Sequence, residues 1–443
     1  MTRAAIAIRA AAGRLAQWRF GRVLWLIAGI AFALRLGIRW QHGTANYRAE
    51  GYGFYFDIAK NLAQGRGYML LEEQLTAFRV PGYPLFLLAV TGGDWHPWAI
   101  VSAQALIGAL TVVATGLLAR ALFGRAAGLI AAGACAIYPY YLWHDTALQE
   151  TALVTCLAAW ATLVLLWLAR SGALRWALLA GALLAAAVLT RETMLPFAVG
   201  AALWAGWRVA ALHQSARGAA RGVLVGASML VVLAAGLSPW LLHTHREYGE
   251  YVLGTEFGAA LYAGSDPLLF AAYPDGSVDA SRAIIFNSLS PLDKAMLDSA
   301  RTRPLLRDHW LRDRAIVRIA ADPLGFTGRF VRKLWIAFRP LPSPLHSTLV
   351  NLAYALVWVP LLLLGLAGMW QNRAQWRRDA LFYAQFAAFA GISGMLWAQT
   401  AHRVFLDLYL MVFAAGLVSG WLGIRALQPP GDLCQGTADN DHS

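Results

Sequence analysis

Residues 97–119, PWAIVSAQALIGALTVVATGLLA, exemplify the type of segment that decides the fold of this chain. The segment contains no charged side chain, and it exceeds the roughly 20 apolar residues that a helix needs to cross a bilayer. Ten runs of this kind occur, at residues 22–40, 97–119, 126–143, 150–169, 174–190, 194–212, 222–243, 348–370, 379–399 and 404–424. Because a helix satisfies its backbone hydrogen bonds internally, these runs predict an all-α polytopic protein with about ten transmembrane helices. A shorter run, 82–91, predicts an additional half-buried helix.

The composition excludes most soluble classes of protein. Of the 443 residues, 59% are hydrophobic and 14% are charged, whereas soluble chains average about 25% charged residues. A cytosolic enzyme, a secreted disulfide scaffold and a disordered polymer are therefore excluded. The spacing of Cys135, Cys156 and Cys434 is typical of neither a metal site nor a disulfide framework. No small-residue cleavage site follows the first apolar run, which we interpret as an uncleaved first helix.

The basic residues predict the orientation of the chain. With both termini in the cytoplasm, the inner face carries sixteen basic and four acidic residues, and the outer face carries 21 basic and 20 acidic residues. Every inner connection contains arginine, as the positive-inside rule requires. The net charge of +13 is thus mainly an orientation signal, and nucleic-acid binding is not indicated.

The same pattern divides the chain into regions. We expect an N-terminal transmembrane region over 1–243 and a small outer cap over 244–347. C-terminal transmembrane helices over 348–428 and a disordered tail over 429–443 follow. A first outer loop, 41–96, lies within the N-terminal region. In this loop, the spacing of Tyr55, Ile58, Ala59 and Leu62 predicts an interfacial helix over 52–64. Residues 301–339 have the pattern of amphipathic helices.

Two acids of the first outer loop are candidates for chemistry. Glu50 precedes the predicted interfacial helix, where the helix dipole favours an acid. Either Glu50 only stabilises the start of this helix, or it takes part in the chemistry of the protein. Asp57 lies inside the helix, where it is either functional, solvated, or paired with Lys60 or Arg66.

Further charged residues collect at other outer turns. Arg79 precedes a turn fixed by Pro81 and Pro84, and its guanidinium suits either a phosphate or a lipid headgroup. The other outer-turn residues are His144, Asp145, Glu150, Arg191, Glu192, His402, Arg403 and Asp407. Glu150 is a helix cap or a functional acid, and Arg191 either neutralises the adjacent Glu192 or serves the site. This clustering favours a cavity that opens at the outer face over a path through the membrane.

Several motifs in this order resemble one enzyme superfamily. They are YFDIAKNLAQGRGY (55–68), FRVPGYPLFLLA (78–89), YPYYLWHDTALQETAL (138–153), LAAAVLTRETMLPF (184–197), TEFGAALYAGSDP (255–267), ADPLGFTGRFVRKLWIAF (321–338) and AHRVFLDLYLMVFAAGL (401–417). The chain is similar in these segments to bacterial GT-C membrane glycosyltransferases of the protein O-mannosyltransferase and aminoarabinose-transferase branch. The resemblance implies a protein of the bacterial inner membrane whose active site faces the periplasm.

The resemblance also implies an activity and residue roles. It implies a polyprenyl-phosphate sugar donor, an acceptor hydroxyl on a lipid, glycan or protein, and inversion at the anomeric carbon. The implied catalytic acids are Glu50, with Asp57 in reserve, and Glu150. Arg79, Arg191, Lys333 and Arg403 are expected to bind the donor phosphate, and Tyr55, Tyr83, His144 and His402 to line the cavity. No ligand spacing requires a metal, and a divalent cation at Glu50 or Glu150 stays an open alternative.

Two other functional classes compete with this interpretation. A membrane transporter or lipid flippase of cell-envelope precursors is predicted to move a lipid without forming a bond. A non-catalytic assembly protein is predicted to lose only stability or partner binding when its outer acids are replaced.

Overall fold

The computed structural model describes residues 3–71, 74–75, 77–212, 215–276, 278–341, 347–396 and 400–422. The predicted tail, 429–443, lies outside these residues. The α-helices among them are α1 Arg3–His42, α2 Tyr47–Glu50, α3 Phe54–Ala63, α4 Gly82–Thr91, α5 Pro97–Phe123, α6 Arg125–Ile137, α7 Pro139–His144, α8 Thr151–Ser171, α9 Leu174–Thr190, α10 Leu195–Ala210, α11 Ala216–Tyr248, α12 Phe257–Ser265, α13 Val278–Asn287, α14 Pro291–Ser299, α15 Pro304–Ala321, α16 Pro323–Phe338, α17 Thr348–Gln371, α18 Trp376–Met395 and α19 Thr400–Trp421. A small antiparallel hairpin, β1 Met69–Leu71 and β2 Gln74–Leu75, pairs Met69 with Leu75 and Leu71 with Gln74.

The predicted helical character of the apolar runs is confirmed. The run 126–143 forms two helices, α6 and α7, because Pro139 forces the preceding Tyr138 into an extended conformation. The additional short helix predicted over 82–91 is α4. Six helical segments among the described residues are long and apolar enough to cross a membrane: Arg19–His42, Pro97–Phe123, Thr151–Ser171, Ala216–Tyr248, Thr348–Gln371 and His402–Trp421. The count of ten spans and the orientation remain predictions.

The helices form a bundle with a distinct centre and periphery. About 78% of the most apolar part of both α8 and α19 is buried against other helices, compared with 17% for α17. The buried share is 61% for α5, but only 22% for α1 and 28% for α11. The outward faces of the peripheral helices are apolar, as expected of surfaces in contact with lipid.

Two ion pairs lie inside this bundle. Arg35 of α1 contacts Asp145 at 2.8 Å, and Arg403 contacts Asp407 within α19 at 2.6 Å. The sequence analysis named Asp407 among the charged outer-turn residues, but it did not indicate Arg35. Mutual neutralisation offsets part of the cost of removing these charges from water.

The segment 244–347, predicted to form the outer cap and called the outer segment below, is helical where it is described. Helices α12, α13 and α15 share a small hydrophobic cluster that includes Tyr262, Ile285 and Leu311. Helices α15 and α16 form the amphipathic segment predicted over 301–339, and they are separated at Asp322, whose carboxylate caps α16. Helix α16 then packs against α18 and α19 and so connects this segment to the bundle.

Candidate functional site

The first outer loop contains two short helices. Helix α3 confirms that the segment predicted over 52–64 is helical, and its interfacial position stays a prediction; Glu50 ends α2 instead of starting the longer helix. The backbone N–H of Tyr52 donates to the Leu148 carbonyl at 2.8 Å. At Gly51, a side chain would meet that same carbonyl at 2.5 Å. The absence of a side chain at Gly51 therefore lets the first outer loop lie directly on the turn that leads to Glu150.

The two candidate acids of this loop are each ion-paired. Glu50 accepts from Nη1 of Arg39 at 2.7 Å, and its other oxygen lies 3.4 Å from Nε2 of His42. Asp57 pairs with Arg48, a partner other than Lys60 and Arg66, the two that the sequence analysis considered. Helix α2 brings Arg48 across the turn toward α3, and this turn contains Gly53, where a side chain would overlap the Arg48 side chain.

A cavity of about 70 Å³ lies where the turns predicted to face outward meet. It is lined by Tyr52, Phe54, Tyr55, Arg79, Gln149, Glu150, Thr151, Arg191 and His402. Five of the residues predicted from sequence are thus brought together: Tyr55, Arg79, Glu150, Arg191 and His402. They come from the first outer loop, the turn 145–150 before α8 (the second turn), the end of α9 and the start of α19.

Glu150 and Arg191 form the charged centre of this cavity. Nη2 of Arg191 donates to Oε1 of Glu150 at 2.8 Å, and Oε2 of Glu150 is buried without a hydrogen-bond partner among the described residues. Glu150 precedes α8 but makes no side-chain cap, so the capping alternative is wrong. Arg191 pairs with Glu150 and not with the adjacent Glu192, because its extended backbone directs neighbouring side chains apart.

The electrostatics of the pair follow from its neighbours. Burial alone would raise the pKa of the Glu150 carboxyl, but Arg191, supported by Arg79, outweighs burial and holds that pKa below its ordinary value. Burial opposes the charge of Arg191, yet Glu150 raises its pKa. Both groups are therefore ionised, and an open carboxylate oxygen lies near two guanidinium groups.

Arg79 is placed by a close helix contact. A side chain at Gly82 would meet the Leu189 carbonyl at 2.6 Å, so glycine allows the start of α4 to lie against the end of α9. The Arg79 guanidinium lies 4.1 Å from the Phe78 ring centroid and 5.8 Å from that of Phe54. These aromatic contacts hold the cation at the cavity wall.

Two predicted cavity residues do not line this cavity. Tyr83 lies behind Tyr55, with ring centroids 4.9 Å apart, and donates to Oε1 of Gln104 at 2.7 Å. His144 stacks on Tyr140, and its Nδ1 lies 2.5 Å from the amide nitrogen of Gln149. Burial lowers the pKa of His144 to about 4, so the imidazole is neutral at physiological pH. Both residues support the residues that line the cavity.

Two predicted phosphate-binding cations lie elsewhere. Nζ of Lys333 donates to the carbonyls of Gly264 and Met395 at 2.9 and 3.0 Å. Arg403 donates to Asp407 and, from Nε, to the Ala337 carbonyl at 2.7 Å. Its guanidinium also stacks 3.2 Å above the Trp358 ring centroid. Their proposed phosphate role therefore has less geometric support than that of Arg79 and Arg191.

The sequence interpretation missed Tyr52, Phe54, Gln149 and Thr151, which also line the cavity. Gln149 and Thr151 flank Glu150, so their position beside a candidate acid was the available signal. Tyr52 and Phe54 flank the turn at Gly53 in an aromatic segment. Within the described ranges, no three His, Cys, Asp or Glu side chains are grouped as in a metal site.

Comparisons with known proteins agree with this architecture. Residues 83–243 match the family model of dolichyl-phosphate-mannose-protein mannosyltransferase. Among curated proteins, no sequence matches the chain. The fold is similar to that of the oligosaccharyltransferase AglB from Archaeoglobus fulgidus, in complex with an inhibitory peptide and a dolichol-phosphate, at TM-score 0.56 and 13% identity. This match covers 92% of the chain and 51% of the solved structure.

The apo crystal structure of the Archaeoglobus fulgidus oligosaccharyltransferase matches at TM-score 0.55 and 14% identity, over 93% of this chain and 52% of that one. The chain thus spans about half the length of these solved structures. The matches confirm the expected resemblance to GT-C membrane glycosyltransferases, and at this level of identity the structural likeness shows the fold alone.

Proposed function

We propose that this chain is an integral membrane glycosyltransferase that transfers a sugar from a polyprenyl-phosphate donor to an acceptor hydroxyl at the outer face of the membrane. The observation that carries the proposal is the buried, unpartnered Oε2 of Glu150 in a cavity that also contains Arg79 and Arg191. A carboxylate beside two guanidinium groups suits a sugar phosphate, because the cations attract phosphate and the carboxylate stabilises positive charge on the sugar. In keeping with the resemblance, we place the protein in a bacterial inner membrane with this face toward the periplasm.

The proposed reaction is a single displacement with inversion. The acceptor oxygen forms a bond to the anomeric carbon, and the bond from that carbon to the phosphate oxygen breaks. The lipid phosphate leaves with the bonding electron pair, and Arg79 and Arg191 stabilise its growing negative charge. A carboxylate takes the proton of the acceptor hydroxyl. A phosphate leaving group needs no proton, so the reaction requires no second carboxylic acid.

The carboxylates have distinct proposed roles. Following the resemblance, Glu50 is the general base, with Asp57 in reserve, and Glu150 stabilises the oxocarbenium-like transition state. We place the reacting end of the donor at this cavity, whose wall includes Tyr55 and His402. Lys333 and Arg403 are proposed as secondary phosphate contacts. To bind phosphate, each side chain must give up its present hydrogen-bond acceptors.

The test is sugar transfer by purified protein in lipid vesicles with radiolabelled polyprenyl-phosphate sugars. We expect transfer by the wild type and a loss of about 100-fold or more in Glu150→Gln, which keeps the shape but not the charge. Arg301→Gln, at an exposed position in the outer segment, is the matched control and should retain activity. Movement of the lipid across the vesicle without bond formation would instead identify a flippase.

A further inference from the structure

Arg39 of α1 contacts both outer loops that carry the candidate carboxylates. Its side chain is 1% exposed. Nη1 donates to Oε2 of Glu50 at 2.7 Å and to the Gly43 carbonyl at 3.1 Å. Nε and Nη2 donate to the Thr146 carbonyl at 3.2 and 3.0 Å. One guanidinium therefore joins the first outer loop to the turn that ends at Glu150.

The turn depends on such side-chain contacts for its shape. Residues 145–150 form no regular helix, so their carbonyls are not held by an internal hydrogen-bond ladder. Gln104 of α5 donates to the carbonyls of Asp145 and Ala147, and Arg35 holds the Asp145 carboxylate. Arg39 is the member of this group that also bonds to Glu50.

Arginine suits this position for a chemical reason. Its planar guanidinium has five donors in a fixed arrangement, whereas the lysine ammonium is a single point of contact on a flexible stem. The ring of Tyr47 lies 4.8 Å from the guanidinium carbon and restricts its position further. A displacement of Arg39 must therefore disturb Gly43, Glu50 and Thr146 together.

We propose that Arg39 is a positioning residue that fixes the first outer loop and the second turn relative to each other, and with them Glu50 and Glu150. The structural part of this proposal does not depend on enzymatic activity, whereas its consequence for catalysis rests on the proposed function. Arg39 acts through the carboxylates and is not assigned contact with substrate.

The structural part predicts coupled loosening of the two segments. In Arg39→Gln we expect amide hydrogen exchange about tenfold faster or more in both 43–53 and 144–150, since each loses hydrogen bonds to a charged donor. In Glu50→Ala we expect faster exchange in 43–53 alone, because Arg39 keeps its bonds to Thr146. Arg66→Gln removes an exposed arginine of the same outer loop and should leave both segments unchanged.

The conservative variant extends this comparison. In Arg39→Lys, the ammonium reaches fewer of the three partners, so at least one of the two segments should lose protection while α5 and α8 remain protected. If Arg39→Gln does not fold, Arg39→Lys supplies the same measurement. Unchanged exchange in both segments of a folded Arg39 variant overturns the inference.

The catalytic part of the proposal predicts that kcat changes much more than KM. Misplaced carboxylates should lower kcat about 100-fold in Arg39→Gln, with KM for the donor changed less than about threefold because Arg79 and Arg191 are intact. Arg39→Lys should recover part of kcat. A wild type that transfers no sugar overturns the proposed function but leaves the exchange result standing. An active wild type with full kcat in Arg39→Gln overturns the positioning role.

Discussion

At the scale of single residues, the contrast between Glu150 and Glu50 is informative. One oxygen of Glu150 is held by Arg191 and the other faces a cavity without a partner. Glu50 does not line this cavity, and its two oxygens face Arg39 and His42. A buried carboxylate oxygen without a donor is costly, so the open oxygen of Glu150 indicates a ligand, whereas Glu50 has the surroundings of an acid held in position.

Arg191→Gln should change the pH dependence of activity. Without the guanidinium, burial dominates and the pKa of Glu150 rises above its ordinary value. Protonation then begins at higher pH, so we expect the acid limb of the rate profile to move upward and activity at pH 7 to fall by about 10- to 100-fold. The measurement is kcat/KM across pH 4–9. An unmoved acid limb would show that Glu150 does not control the rate.

The same substitution should lower stability. The wild-type pKa of Glu150 is depressed, so its ion pair stabilises the fold above the ordinary carboxyl pKa, and that stability is lost as the pH falls through the lowered value. Breaking the pair should cost about 2 kcal/mol at pH 7. The melting temperature of Arg191→Gln in detergent tests this, and an unchanged value at pH 7 would contradict it.

The sequence predicted the residues of the site better than their pairing. Tyr55, Arg79, Glu150, Arg191 and His402 share one cavity, but the bonded pairs join residues far apart in the chain. Glu150 and Arg191 are 41 positions apart and Arg35 and Asp145 are 110 apart. Such partners depend on how helices are arranged in space, and local periodicity contains no information about that arrangement.

At the scale of elements, local sequence patterns were more informative. The spacing of Tyr55, Ile58, Ala59 and Leu62 predicted α3, because one buried helical face is a local property. The break between α6 and α7 was missed because the apolar run continues through Pro139, although proline itself was a visible signal. The short hairpin of β1 and β2 was also not predicted.

The contact between α4 and α9 gives a prediction at this scale. In Gly82→Ala, the new methyl group would meet the Leu189 carbonyl at 2.6 Å, so α4 must shift and carry Arg79 away from Arg191. We expect sugar transfer to fall about 10- to 100-fold and the melting temperature to drop. Gly133→Ala is the matched control, since no atom lies within 4 Å of its added methyl group. Equal behaviour of the two variants would contradict this account.

The contact between α16 and its neighbours is predicted to depend on pH. Burial, with a contribution from Arg329, lowers the pKa of Lys333 from 10.5 to about 7. Between these values the unfolded chain binds more protons than the folded one, so stability should rise with pH from about 7 to 10.5. The difference in melting temperature between wild type and Lys333→Met should grow in the wild type's favour over this window. Lys294→Met, at an exposed position, should show no such trend.

At the scale of the whole molecule, the arrangement of burial matches a protein surrounded by lipid. Helices α8 and α19 are central, while α1, α11 and α17 expose apolar faces. The cavity lies where the first outer loop, the second turn, the end of α9 and the start of α19 meet. In the proposed function, a lipid-linked donor presents its phosphate to this cavity while its chain stays in lipid.

The distribution of charge predicts which end of the bundle faces which side of the membrane. In a Cys434→Ser background, a membrane-impermeant maleimide should label Arg301→Cys in intact spheroplasts, and it should label Arg373→Cys only after permeabilisation. Both positions are exposed, and the remaining Cys135 and Cys156 are buried. The reason is the positive-inside rule, which places the arginine-rich connections in the cytoplasm. The reverse pattern would put the cavity on the cytoplasmic side, where the donor arrangement proposed for Arg79 and Arg191 would have to be abandoned.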